Sequence, residues 1–314
     1  MAQGGRMNRT APVRATFVAG FLFALGACRS LPPGAECWSL DGRALVSPPP
    51  AADAAARLED DLRGAARTPA ERPDDCDAAI WHARRLGYLG RYRDAVAVLT
   101  EALARHPGDP FLLRHRGHRW LTLREFARAR ADLLAAAVAC RTPPDATEPD
   151  GQPTPGRPPH SSLHYNVHYH LGLACFLLGD WAMAERAWLC CLAVVDDDES
   201  RVAVTHWLWC ARMRNGDPAG AAAVVAPIRA GMDVVENVAY LNLCLLYRGD
   251  RTRAELSPRA GSSGSALAFG LAHHALVTGD RARARAELAA LAGSPGWSAF
   301  GVIAAEAELA RCRD

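Results

Sequence analysis

Lysine is missing from this chain: all 36 basic residues among its 314 are arginine, set against 34 acids. With no cationic excess there is no electrostatic footprint for nucleic acid. The missing lysine and the wealth of alanine point to a GC-rich genome rather than to a chosen chemistry. Long apolar runs are also missing. The best is Ala15–Ala27, whose 13 residues would make a helix of about 20 Å, against a hydrocarbon core of about 30 Å. No GxSxG, P-loop or dinucleotide fingerprint occurs, and no HExxH, so the usual sequence handles for hydrolases, nucleotide enzymes and zinc peptidases are absent. Ten cysteines are present, but no CxxC spacing that would mark a zinc or redox site.

What is present begins with an address. Residues 1–14 carry Arg6, Arg9 and Arg14 and no acid, and the apolar stretch comes directly after them. That is the layout of a secretory signal. It ends Leu25-Gly26-Ala27-Cys28, which resembles the processing site of bacterial lipoproteins. The resemblance implies a signal peptide over 1–27, removed before Cys28, which is lipidated. It also implies anchoring by two or three acyl chains, since one chain alone holds only marginally. Arg29, in place of the aspartate that retains such proteins at the inner membrane, implies the periplasmic side of the outer membrane. Without residues 1–27 the chain has 33 basic residues against 34 acids. Residues 28–50, with Pro32-Pro33 and Pro48-Pro49-Pro50, read as an extended tether. A helix over 51–75, with Leu58 and Leu62 on one face, would cap the region that starts at residue 76.

From residue 76 onward one motif recurs. It reads Gly90-Arg91-Tyr92 with Ala95, Gly179-Asp180-Trp181 with Ala184, and Gly216-Asp217-Pro218 with Ala221. Gly249-Asp250-Arg251 with Ala254 and Gly279-Asp280-Arg281 with Ala284 continue it, while Arg124-Glu125-Phe126 with Ala129 lacks the glycine. A period in the thirties means stacked helical hairpins. Glycine supplies each tight reversal through positive φ. Small residues recur where paired helices must approach: Ala83, Ala95 and Ala102; Gly117, Ala129 and Ala136; Gly172, Ala184 and Cys191. On these residues, with Tyr92, Phe126, Trp181 and Pro107, the chain over roughly 76–292 resembles the tetratricopeptide repeat (TPR). Tyr169–Ala174 and Ala299–Glu306 are further similar to a group of bacterial lipoproteins that carry such repeats. The resemblance implies an all-α, right-handed solenoid of five or six hairpins over 76–314, closed by a capping helix near Trp297–Arg311.

It also implies a concave groove, lined by the first helix of each hairpin, that binds a protein or peptide. The family's groove positions fall on Asp77, Arg84, Arg114, His118, Asn166, Tyr169, His206, Glu236 and His273. The lysine and asparagine set of a chaperone-tail carboxylate clamp is lacking. An insert at 141–163, with seven prolines, breaks the period and cannot be helix. Ser257–Ser265 reads as a second flexible stretch. His164 and His168, one helical turn apart, are weak metal candidates that lack a third ligand. Ser161-Ser162 before His164 could be imagined as a nucleophile with its base, but serine before a helix is more often a cap. Cys175, Cys190, Cys191, Cys210 and Cys244 fall in apolar helical stretches and read as core. Cys37, Cys76, Cys140 and Cys312 fall at segment edges and read as the oxidisable set.

The expectation is therefore a non-catalytic adaptor at the bacterial cell envelope, with no cofactor, no catalytic residue and no nucleic-acid partner. Its identified contacts are the membrane, through lipid on Cys28, and an unknown protein or peptide. The alternative is a metal- or small-ligand-binding protein that uses the histidine-rich face of hairpins two and three. A hydrolase working from the insert is a third reading.

Overall fold

Among the described residues, six chain reversals are closed by the same backbone bond. The amide one residue past the turn donates to the carbonyl five residues back: Arg91 to Leu86, Glu125 to Trp120, Asp180 to Cys175, Asp217 to Arg212, Asp250 to Leu245 and Asp280 to Ala275, each at 2.9 Å. That bond requires left-handed backbone at the turn residue. Gly90, Gly179, Gly216, Gly249 and Gly279 supply it, and Arg124 adopts it as well, at φ 64°. The aspartate after three of these glycines then caps the next helix. Asp180, Asp217 and Asp280 accept from the amides of Met183, Gly220 and Arg283. The Gly-Asp repeat is thus a helix stop followed at once by a helix start.

The computed structural model describes residues 30–142, 144–149, 155–257 and 262–312. The stretch expected to be a signal peptide, 1–27, and Cys28 lie outside these. Leu31–Asp314 forms one unit. It begins with a β-hairpin, β1 (Ala35–Trp38) paired antiparallel with β2 (Ala44–Val46). Helix α1 (Ala52–Glu71) comes after it. Three hairpins come next: α2 (Cys76–Tyr88) with α3 (Tyr92–Arg105), α4 (Pro110–Thr122) with α5 (Phe126–Ala139), and α6 (Leu163–Leu178) with α7 (Trp181–Leu192). A fourth pairs α8 (Asp198–Arg214) with the short α9 (Pro218–Val225). In the fifth, α10 (Val238–Arg248) is followed, among the described residues, by a 3-10 turn, Arg253–Glu255. The sixth pairs α11 (Ser262–Val277) with α12 (Arg281–Ala292), and α13 (Phe300–Arg311) ends the array. Helix α11 starts inside the stretch expected to be flexible, so the irregular part is shorter than Ser257–Ser265.

The small residues sit where the helices touch. Ala83, Ala95, Ala102, Ala129, Ala136, Ala184 and Cys191 are all fully buried. A side chain at Gly117 would run into Leu133, and one at Gly172 into the Trp188 ring. One core, built on Phe176, Trp188, Trp207 and Phe269, runs from α4 to α13; a second fills the first two hairpins.

Two features depart from an open array with a loose tail. The first is α13. It packs on α11 and α12 and also returns to α6, and every residue from Gly301 to Glu308 is buried. It is the closing helix expected near Trp297–Arg311, and it is buried among its neighbours instead of keeping one wet face. The second concerns residues 30–50, where an extended tether was expected. Instead Cys37 and Leu45 of the hairpin pack with Val96, Leu123 and Trp297. Trp297 Nε1 donates to the Val46 carbonyl at 2.8 Å, and Arg43 donates to the Ala292 carbonyl. The prolines lie outside the strands, so they do not interfere with pairing, and alternate β1 residues are apolar and buried. The hairpin therefore clips the first two hairpins to the last.

Candidate functional site

The first helices α2, α4 and α6 neighbour one another and present Arg84, Arg114, Arg119, His115, His118 and His170 toward one region. Part of the insert lies against it. Glu148 donates its amide to the Ser161 carbonyl, and Leu163 donates to the Ala146 carbonyl, so Ala146–Glu148 lies extended beside 161–163 in a single antiparallel bridge. The Glu148 carboxylate, 4% exposed as a residue, meets Arg114 Nη2 at 2.6 Å and accepts from Asn166 Nδ2 at 2.8 Å. Arg84 donates to the Pro149 carbonyl at 2.8 Å.

Desolvation outweighs pairing here. Burial pulls Arg114 down even beside Glu148, and burial lifts Glu148 even beside Arg114 and Arg84. Arg119, buried and near Arg114, falls to about 10. His115 and His118 are held well below their ordinary value by burial and by the same arginines, and His170 falls to about 3. The region is a buried cationic surface with neutral histidines, met by one carboxylate from the insert.

The expected groove residues have three separate fates. Asp77 and Glu236 are exposed. Arg84, Arg114 and Asn166 contact the insert. The others are internal. His118 packs at a tilt against His170 and against Phe300 of α13, with centroids 4.5 and 5.3 Å away. Tyr169 Oη accepts from Trp207 Nε1 at 2.9 Å. His206 and His273 are 0% exposed, His206 lying against Tyr240 and Tyr247. The nine do not form one open groove, because α13 fills its centre and 144–149 covers its start. Glu148, Arg119 and His170 belong to this region but were not among the nine. Their sequence signals were thin: one acid in a proline-rich stretch, and polar residues inside apolar helices.

His164 and His168 do not converge on a third ligand. His164 Nε2 bonds the Cys140 carbonyl at 2.6 Å, and its other nitrogen lies 3.8 Å from Asp145. Among the described residues no three His, Cys, Asp or Glu groups come close enough to hold a metal. Ser162 caps α6 at the Tyr165 amide and donates to Asp145, while Ser161 accepts from Asn166. Neither hydroxyl is bonded to His164, so no nucleophile–base pair is assembled there.

The cysteines also differ from expectation. Cys37 and Cys140 are buried and Cys190 is exposed; all nine described cysteines are free. The edge positions of Cys37 and Cys140 are covered by the hairpin core and by α5–α6 packing. No helix among the described residues is long and apolar enough to cross a membrane.

No family model matches the chain, and no curated protein does. Similar solved structures include YrrB, described as a TPR protein with an unusual peptide-binding site, at TM-score 0.42 and 13% identity over 71% of this chain and 96% of that one. A tetratricopeptide repeat protein from Parabacteroides merdae gives TM-score 0.49 and 14% identity over 82% and 95%. The Naa15/Naa10 complex bound to HypK gives 0.37 and 16% over 79% of this chain and 36% of that one.

Proposed function

We propose that this chain is a non-catalytic scaffold that grips an extended, acid-bearing protein segment on helices α2, α4 and α6. It would do so at the bacterial cell envelope, held by lipid on Cys28. The observation that carries the reading is the seating of Ala146–Pro149. Those first helices already hold an extended piece of their own chain, through one buried carboxylate and one main-chain carbonyl. Arg84, Arg114 and Arg119 outnumber that single carboxylate, so a partner segment presenting further acids would be matched better than the insert is. The envelope assignment rests on the basic-then-apolar start and on Leu25-Gly26-Ala27-Cys28.

The test is a panel of Glu-containing octapeptides and their Gln isosteres, titrated against the mature chain by fluorescence polarisation. Glu148→Ala should tighten binding of the acidic members, because it removes the internal competitor. Arg84→Gln, a half-exposed site that spares the core, should weaken them. Equal affinity for Glu and Gln peptides, or no response to either substitution, rejects the reading. For the address, radiolabelled palmitate should be incorporated by the wild type and not by Cys28→Ser.

A further inference from the structure

A second cationic site lies away from the insert, at the other end of the inner helices. The last turns of α8, α11 and α13 and the first turns of α7 and α12 surround a cleft of about 620 Å³. Four arginines reach it: Arg214, Arg281, Arg285 and Arg311. No aspartate or glutamate is among the lining residues. The carboxylate paired with Arg214 and Arg311 is Glu308, beneath the cleft and 0% exposed, 3.4 Å from the first and 3.1 Å from the second, while Arg285 also borders a neighbouring cleft lined by Asp41 without pairing to it. Arg281 and Arg285 have no side-chain partner among the described residues.

The placement of those two is electrostatically adverse. They occupy the first turns of α12, where the helix dipole already carries about half a positive charge. The helix has no acid in its first turn, and its Asp280 cap is paired with Arg283 instead. Two polar groups at the cleft also lack partners. Trp181 Nε1 and Arg311 Nε are both buried and bonded to nothing. Arg214 lies over the Trp181 ring at 4.2 Å, so that guanidinium is fixed in place by stacking. Leu276, Val277 and Leu288 supply an apolar wall.

Two unpaired arginines, two orphaned donors and an apolar wall in a cleft of small-molecule size are what an organic polyanion requires. We infer that this cleft binds a small ligand with two or more negative charges, as carboxylates or a phosphate ester, joined to a short apolar body. Arg281 and Arg285 would take one charged group over the α12 amino end. Trp181 Nε1 and Arg311 Nε would take the other, the terminal nitrogens of Arg311 being held by Leu177, Phe176 and Glu308, and the apolar part would lie on Leu276 and Leu288. This site is independent of the peptide-binding reading, since it shares no residue with the insert region.

Calorimetry on the mature chain in 0.15 M sodium chloride tests it with two probes, citrate and phenyl phosphate. Saturable 1:1 binding of either, at least tenfold tighter than methyl acetate or benzyl alcohol, is the expected result. Citrate binding assigns a polycarboxylate ligand, and phenyl phosphate binding assigns a phosphate ester. Arg281→Gln with Arg285→Gln should weaken the binding at least tenfold, with unchanged helical content, because both side chains are exposed. Bound ligand should also shift tryptophan emission in the wild type and not in Trp181→Phe. Absence of binding by both probes, or binding that survives the double glutamine substitution, overturns the assignment.

Discussion

Arg124 and Glu306 lie 182 residues apart in sequence and form a buried ion pair, Nη2 to Oε1 at 2.6 Å. Arg124 also donates to the Thr122 and Trp297 carbonyls, and Glu306 accepts from the Leu40 amide. The position is the one where every other reversal uses glycine. An L-residue in left-handed backbone costs about 1–2 kcal/mol. The strain is offset because this side chain joins the second hairpin, the β-hairpin and α13 at one point. Arg124→Gly should relieve the backbone and strand the carboxylate, with a net loss of roughly 2–4 kcal/mol in urea unfolding, since breaking a buried pair costs about 3–5 kcal/mol. Arg124→Ala should be worse by about 1 kcal/mol. A cycle with Glu306→Gln should show coupling above about 1 kcal/mol. An alanine variant as stable as glycine, or an additive cycle, contradicts this account.

Trp297 holds the β-hairpin from the opposite side. Its ring packs edge-on to Tyr92 at 5.4 Å, under Arg124 at 5.3 Å, and its indole bonds Val46. Trp297→Phe keeps most of the packing and removes the bond, a loss of about 1 kcal/mol. Amides of 35–46 should then exchange faster with deuterium while those of α6–α8 are unchanged. Equal acceleration in both would mean that the hairpin belongs to the global cooperative unit.

Much of this architecture was legible, and the reason is physical. A hairpin reversal needs a left-handed residue, a cap and small contacts at fixed offsets, so Gly179-Asp180 and Ala184 announce themselves locally. Even Arg124 could be placed by its spacing. What its spacing could not show was its partner, because a contact with Glu306 leaves no periodic trace. A closing helix near Trp297–Arg311 was expected and is α13, but its burial among the other helices was hidden for the same reason. Gly301–Glu308 reads as one more alanine-rich helix, and only its burial on every side reveals it as the filling of the expected groove. The hairpin at 35–46 was missed because flanking prolines dominate the composition, while β1 and β2 span only four and three residues. The groove residues were read from family positions, which assume an open face. That assumption fails once the chain covers its own surface.

Two glycine substitutions should have opposite signs. Gly64 lies mid-helix in α1, exposed, with nothing near where a Cβ would sit. Gly64→Ala should stabilise by about 0.5–1 kcal/mol through the unfolded state. At Gly172 a Cβ would meet three Trp188 ring atoms within 2.7 Å. Gly172→Ala must push α6 from α7 and should destabilise by about 1–3 kcal/mol or more. Differential scanning calorimetry of the two variants settles the comparison. A neutral Gly172→Ala would mean that the α6–α7 contact is loose.

Acid should unfold this protein earlier than its carboxylates alone would dictate. Burial lowers His170, His206 and His273 to about 3, aided by Arg114 and Arg119 at the first, by His273 at the second and by Arg214 and Arg311 at the third. In the unfolded chain each titrates near its ordinary value of about 6.5. Between those two values the unfolded state binds more protons, so stability falls as pH drops from about 6.5 toward 3. Each histidine can contribute a slope of about 1.4 kcal/mol per pH unit. Glu148, lifted by burial, opposes this with a single group at lower pH. The urea midpoint should therefore be flat from pH 8 to 7 and decline between pH 6 and 5. His206→Phe, which keeps a flat ring beside Tyr240 and Tyr247, should reduce that decline by about one proton's worth of slope. A midpoint constant down to pH 5, or a slope unchanged by the substitution, would show that these imidazoles are not held neutral by the fold.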